Sequence, residues 1–253
     1  MTALSEMLVL TGRSMKHILR SPDTIITVCI MPIAMMLMFV YIFGGAIKSA
    51  LPAGTNYVTY QLPGILLITV ASGVAYTALR VFTDRQKGIF SRLHTMPISR
   101  GAALWAHVIT SIVSNLVSVL VVIAVALLIG FRSSAGPLAW LGIIGMVLLF
   151  TLAMTWLAVI PGLTAKSAET AGAFSYPLIF LPFLSSAFAP TDTMPWAVRV
   201  FAEYQPVTPI VNSIRALLTN QPVGSNLWVA LAWLIGISIV TFCIAVRLYR
   251  KAV

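Results

Sequence analysis

The sequence predicts an all-α integral membrane protein with six transmembrane helices, and three observations lead there. The chain is 59% hydrophobic and only 9% charged, with a mean hydropathy of +0.98. Its apolar residues fall in runs of about 20, the length needed to cross a ~30 Å hydrocarbon core. Its basic residues, which give a net charge of +10, gather at the ends of those runs instead of along one solvated face. That distribution is the positive-inside bias of a membrane protein and argues against nucleic acid as a partner.

Six spans follow from the runs: Thr24–Phe43, Gln61–Phe82, Leu104–Gly130, Leu138–Ile160, Thr170–Ala189 and Asn226–Val246. Pro32, Pro177 and Pro182 lie within spans and predict kinks, which membrane helices tolerate when neighbouring groups satisfy the freed carbonyls. With both termini in the cytoplasm, Arg13, Lys16, Arg20, Arg80, Arg85, Lys87, Arg92, Arg100, Lys166, Arg247, Arg250 and Lys251 are inside. Only Lys48, Arg132, Arg199 and Arg215 are then outside. The first apolar run is too long for the core of a cleavable leader, so it reads as a retained span. Cys29 and Cys243 fall in spans and read as small apolar residues, not a disulfide or a metal pair. Residues 1–253 are read as a single membrane domain.

Three segments outside the spans carry more pattern than connectors need. Residues 4–20 place Leu4, Met7, Leu8, Met15, Ile18 and Leu19 on one helical face, with Glu6, Arg13, Lys16, His17 and Arg20 opposite. This predicts a helix lying in the membrane interface, its cations among lipid headgroups. Residues 84–97 predict a short cytoplasmic helix closed by Pro97. Ile89, Leu93 and Met96 form its stripe, Phe90 borders it, and Arg85, Lys87 and Arg92 supply charge. A loop that could have been wholly polar but carries a helical apolar stripe suggests docking onto a partner. Residues 190–221 are too apolar for a solvated loop, and Pro195, Pro206 and Pro209 divide them into pieces too short to span. They predict two short helices, Met194–Glu203 and Pro209–Thr219, in a re-entrant or interfacial hairpin on the outer side. Asp192, Arg199, Glu203 and Arg215 either pair among themselves or shape an exit gate.

Several function classes are disfavoured. No GxxxxGK[ST] occurs, and the nearest look-alike, Gly162 to Ser167, has the wrong spacing for a phosphate loop. His17, His94 and His107 form no metal constellation, and no serine, cysteine or carboxylate sits in a catalytic motif. No span carries an ionisable residue near its middle, where ion-coupled carriers usually hold one. The energy for any transport is therefore expected from another chain.

Two motifs resemble the ABC-2 family of ATP-binding-cassette permeases, especially daunorubicin-resistance-type bacterial export subunits. Met194-Pro195-Trp196, then Gln205-Pro206-Val207-Thr208, then Asn212-Ser213-Ile214-Arg215-Ala216-Leu217 is similar to the family's "mP…NP…R.L" pattern, with Gln205 where the family often has Asn. Lys87-Gly88 through Arg92-Leu93 to Met96-Pro97-Ile98-Ser99-Arg100 resembles its "ERE.G….L..tP.sr" loop, with Asp84-Arg85-Gln86 in place of the acidic-basic-acidic start. The resemblance implies a permease subunit that is not itself an enzyme. Residues 84–97 would be a coupling helix seated on a separate ATPase subunit, which binds ATP and Mg, so this chain needs no cofactor of its own. It further implies a second permease copy or a homologous permease, a bacterial cytoplasmic membrane, and a hydrophobic or amphipathic drug, antibiotic or lipid as substrate. An ATP-independent channel or carrier, a permease for lipid-linked glycans, and a membrane assembly factor are the alternatives.

Overall fold

The structure is a computed structural model and describes residues 22–48, 56–89 and 102–252. The expected interface helix at 4–20, with Arg13, Lys16 and Arg20, lies outside the described residues, as do Phe90, Arg92, Leu93 and Met96. All regular structure among the described residues is helical. In chain order it comprises α1 (Pro22–Met38), a π-helical turn (Phe39–Phe43), α2 (Gly44–Lys48), α3 (Tyr57–Gln86) and α4 (Ala102–Ile129). There follow α5 (Pro137–Thr164), α6 (Ala168–Ala173), α7 (Ser175–Phe180), α8 (Trp196–Tyr204), α9 (Val207–Leu218) and α10 (Asn226–Ala252).

Among the described residues, four helices are long and apolar enough to cross a membrane: Tyr57–Gln86, Leu104–Ile129, Pro137–Thr164 and Asn226–Arg250. They match four of the six expected spans. The other two are built differently. The first expected span is α1 with Pro32 inside it, passing through the π turn into α2. The fifth is not one helix but α6, α7 and a 3-10 turn at Leu181–Leu184. Pro177 and Pro182 each remove a backbone donor and crowd the preceding turn, so a continuous helix gives way to short pieces.

Burial separates the long helices into centre and periphery. The apolar windows of α3 and α5 are 67% and 61% buried, against 28% for α4 and 22% for α10. From Tyr57 to Ala71 every residue of α3 is buried, so this half has no outward face. Further along, Val74, Thr77, Ala78, Val81 and Phe82 are buried at helical spacing, and the helix becomes one-sided. Leu62, Ile65, Leu66, Leu67 and Ile68 join Ile143, Met146, Val147 and Phe150 of α5 and Ile210 and Ile214 of α9 in one core. On the outward side of the peripheral helices stand Leu120 and Leu128 of α4 and Ile239 and Val240 of α10. Cys243 is also exposed there, whereas Cys29 is buried.

Lipid chains are as apolar as leucine, so helices in a bilayer associate through close packing and hydrogen bonds. Glycines supply that closeness here. A Cβ at Gly162 of α5 would lie 2.7 Å from Val81 Cβ and 2.9 Å from the Ala78 carbonyl oxygen, both on α3. A Cβ at Gly64 of α3 would lie 2.5 Å from the Ala187 side chain.

The helix ends and breaks are closed by side chains. Asn56 caps α3, its Oδ1 accepting from Val58 N at 2.9 Å, while its Nδ2 donates to the Gly130 carbonyl at 3.1 Å beyond α4. Gln61, wholly buried, donates to the Met36 carbonyl at 3.3 Å, next to the π turn of the first span. Ser133 Oγ and Ser134 N both donate to the Leu218 carbonyl at the end of α9.

Because Val81 and the Ala78 carbonyl both lie within 3 Å of where a methyl group on Gly162 would sit, α3 and α5 would have to move apart to admit one. Gly162→Ala is expected to destabilise the bundle by about 1–3 kcal/mol, read as a lowered melting temperature of the purified protein in detergent. Gly145→Ala, on the same helix with nothing within 4 Å of its would-be Cβ, is expected to leave melting unchanged.

Candidate functional site

The two ends of α3 hold most of the expected functional residues. At the Asp84 end, α3 runs four residues past the expected limit of its span, so Asp84 and Arg85 belong to its last turn. They are not the start of a separate docking helix. Lys87 is the C-cap, and Gly88 takes φ +64°, the left-handed conformation that ends helices and that glycine adopts without a Cβ penalty. Lys87 N and Gly88 N donate back to the Thr83 and Arg85 carbonyls at 2.9 and 3.1 Å. Ile89 is again helical. Arg85 and Ile89 are therefore not on one continuous helix, because the chain turns at Gly88.

Two contacts hold this turn. His107 Nε2 of α4 lies 3.2 Å from Asp84 Oδ2. Arg85 Nη1 donates to the Ala165 carbonyl at 3.1 Å, in the link between α5 and α6. Phe82 packs with Ala165 and Ala171 beneath them. The exit of α3 toward the basic segment is thus bound to α4 on one side and to the α5–α6 link on the other. Lys87 is exposed, and its charge is presented outward.

One turn deeper, a set of polar side chains crosses three helices. Arg80 Nη2 donates to Thr77 Oγ1 at 3.0 Å, and Thr77 Oγ1 donates to Ser111 Oγ at 2.8 Å. Ser111 Oγ lies 3.1 Å from Thr155 Oγ1 on α5, and Asn115 Nδ2 donates to the Ser111 carbonyl at 2.9 Å. The sequence reading missed this set. The pattern was there: His107, Thr110, Ser111, Ser114, Asn115 and Ser118 recur at helical spacing within an otherwise apolar run.

The Tyr57 end meets the expected hairpin. Two short helices do occupy 190–221, but the break falls at Gln205-Pro206 and α9 begins at Val207. Pro206 is the N-cap of α9, and Pro209 sits in its first turn, where a missing N–H leaves no intrahelical bond unmade. The four charges divide. Arg199 pairs with Glu203 at 2.8 Å and with Asp192 at 2.9 Å on the exposed face. Glu203 first, then Asp192, raise the pKa of Arg199. Arg215 takes no part in that network. Its Nε donates to the Tyr60 carbonyl at 3.1 Å, one Nη to Asn212 Oδ1 at 2.9 Å, and the other to the Ser186 carbonyl at 2.7 Å. The guanidinium carbon lies 3.7 Å from the centre of the Tyr60 ring. One cation therefore fastens α9 to α3 and to the irregular chain after the 3-10 turn. Gln205 donates to the Leu181 and Leu184 carbonyls, and Thr208 Oγ1 donates to the Ala202 carbonyl at 2.5 Å, so the same hairpin also closes the broken fifth segment.

Comparison with known proteins bears on what such a bundle does. Residues 5–219 match the family model described as ABC-2 type transporter. The chain belongs to the ABC-2 type transporter family. It is 27% identical to the daunorubicin resistance ABC transporter permease protein DrrB1 of Streptomyces coeruleorubidus, across 99% of this chain and 88% of that one. It is 24% identical to the probable doxorubicin resistance ABC transporter permease protein DrrC of Mycobacterium tuberculosis, across 98% and 90%. A putative transport permease, ycf38, of Porphyra purpurea is 26% identical across 86% and 75%. With its apolar helices, this ABC-2 chain is a multi-pass membrane protein and a transport component.

Arg215 joins α9 to α3 and to the irregular chain at Ser186, and removing it takes the guanidinium donors from the Tyr60 and Ser186 carbonyls. Arg215→Met is expected to cost about 1–3 kcal/mol for each carbonyl left buried without a donor. Arg215→Lys, with a point charge in place of a planar fork, should recover only part of the loss. Arg199→Gln, on the exposed face, is expected to leave the melting temperature unchanged. Thermal unfolding of the three purified variants checks all of this.

Proposed function

We propose that this chain is the permease subunit of an ATP-driven exporter, carrying hydrophobic or amphipathic drugs, antibiotics or lipids outward with the energy of a separate ATPase subunit. The observation that carries the reading is the exit of α3. A central helix buried on all sides over half its length ends in a turn bound to two neighbouring elements, and the basic segment follows at once. A push on that segment would be delivered to the middle of the bundle and not to a peripheral helix. Family membership supplies the kind of partner, and the printed names of two relatives, which concern daunorubicin and doxorubicin resistance, suggest the kind of cargo.

In this reading the termini are cytoplasmic and the membrane is the bacterial cytoplasmic membrane. Lys87, Ile89, Phe90, Arg92, Leu93 and Met96 contact the ATPase, which holds ATP and Mg. Arg85 acts one step behind them, tying their helix exit to the α5–α6 link. Arg13, Lys16 and Arg20 lie among headgroups at the inner surface. Arg199, Glu203, Pro206 and Arg215 belong to an outer gate, in which Arg215 is the fastening and the Arg199 pairs are the water-facing rim. Two permease copies, or this chain and a homologue, complete the pathway.

Co-expression is expected to recover a P-loop ATPase bound to this chain, while the chain alone hydrolyses no ATP. Arg92→Glu combined with Leu93→Asp should abolish both that association and drug export from cells, at unchanged permease levels in the membrane. Retention of both activities would remove the docking assignment. Drug flux through liposomes containing this chain alone, without ATP, would remove the ATP-driven reading itself.

A further inference from the structure

The polar set between α3 and α4 is more than the bundle needs to hold together. Polar side chains act as glue between membrane helices by pairing with one another or with backbone. Thr77, Ser111 and Thr155 do this completely enough to join α3, α4 and α5. Yet the same two helices hold three buried polar atoms with no hydrogen-bond partner among the described residues: Asn115 Oδ1, Thr110 Oγ1 and Arg80 Nε. Asn115 is 2% exposed and Thr110 wholly buried. Asn115 Oδ1 is aimed across the seam at α3, because a Cβ on Gly73 would lie 2.0 Å from it. A buried acceptor without a donor destabilises the packed state, so packing alone does not account for it.

The seam is also long. From His107 to Ser118 the stripe rises about 16 Å at 1.5 Å per residue, roughly half of a ~30 Å hydrocarbon core. It starts at the Asp84–His107 contact, at the end of α3 next to the basic segment. Its chemistry is specific. Arg80 Nε can donate only, Asn115 Oδ1 can accept only, and Thr110 Oγ1 can do either. Arg80 is the fixed cation of the seam, while Asp84, the nearest carboxylate, is engaged by His107. An ammonium group finds no free counter-charge there. A ligand edge carrying both carbonyl and hydroxyl groups would find an ordered set of partners.

We propose that the α3–α4 seam is a binding track for the uncharged carbonyl- and hydroxyl-bearing edge of the exported amphiphile, entered from the Asp84 end when the two helices part. Asn115, Thr110 and Arg80 are its recognition residues. Thr77, Ser111 and Thr155 are the contacts that close it again. This inference rests on the export reading above, since it needs an energy-driven motion to separate Gly73 from Asn115.

The test uses the permease with its ATPase in proteoliposomes and daunorubicin as the probe, an amphiphile with carbonyl and hydroxyl groups. Thr110→Val, nearly isosteric, is expected to raise the KM for daunorubicin roughly five- to tenfold, the loss of about one hydrogen bond, with kcat unchanged. A fall in kcat and melting temperature at constant KM would mean the seam is glue only, and would overturn the proposal. A second measurement does not depend on that variant. In a chain with Cys29→Ala and Cys243→Ala, Asn115→Cys is expected to react with a small methanethiosulfonate reagent only during ATP turnover, and daunorubicin should slow that reaction at least fivefold. Labelling that ignores ATP or ignores the drug, in a complex that still exports it, overturns the track. A parent complex that shows no ATP-dependent daunorubicin export overturns the export reading instead, and the two failures are thereby told apart.

Discussion

Close approach along α3 is the constraint on which the rest of the bundle depends. Without a hydrophobic driving force between helices in lipid, contact area must come from backbones brought near one another. Gly64 admits Ala187, Gly73 admits Asn115, and Gly162 admits Val81 and the Ala78 carbonyl. Three neighbours reach α3 through these three positions, at three heights. That is why α3, with a 30-residue length, can be approached closely by three neighbours. It also explains why α4 and α10 keep their large apolar side chains turned outward, as Leu128 at 88% exposure does.

A central rod of this kind forces its neighbours to be irregular. The first expected span bends through a π turn, and the fifth breaks at its prolines. Every such departure frees carbonyls that bilayer hydrocarbon cannot satisfy. Side chains do it instead: Gln61 at Met36, Gln205 at Leu181 and Leu184, and Arg215 at Ser186. A guanidinium suits the last task because its five donors lie in one plane and reach several acceptors at once. Arg215 therefore needs no carboxylate. Its positive charge is spread over carbonyl dipoles and the face of Tyr60.

Hydropathy made the long helices legible because twenty apolar residues in a row leave few other solutions. Α-helical type and approximate limits of four spans followed from that alone. The hairpin was legible for a different reason: Pro195 and Pro206 bound a segment too short to cross, and helices duly form on either side of Gln205-Pro206. What could not be read was partnership. Arg199 and Arg215 look alike in the sequence, sixteen positions apart on one segment, yet one is a surface ion pair and the other an internal fastening. Only the tertiary approach of Tyr60 and Ser186 distinguishes them. Arg85 likewise looked like a docking charge, and the extension of α3 to Gln86 turned it back toward Ala165. The α4 stripe was visible in principle, but serine and threonine barely lower a hydropathy average, and the run's leucines and valines masked it.

The same contacts decide which parts can move against each other. The interlock of Gly162 with Val81 and Ala78 joins α3 to α5, and Arg215 joins α3 to α9, so these three form one stiff unit about 45 Å long at 1.5 Å per residue. Displacement at Gly88 would be carried along α3 toward the hairpin, with Pro63 the one proline inside the helix on the way to Tyr60. The α3–α4 contact is different in kind. It rests on hydroxyl bonds, on the His107–Asp84 contact and on an asparagine side chain against Gly73, and side chains can rotate where a methyl-filled groove cannot. A force that the α3–α5 interface resists is thus released between α3 and α4. In the exporter proposed above, a shear of α4 along α3 would open the polar seam at the end where the basic segment enters.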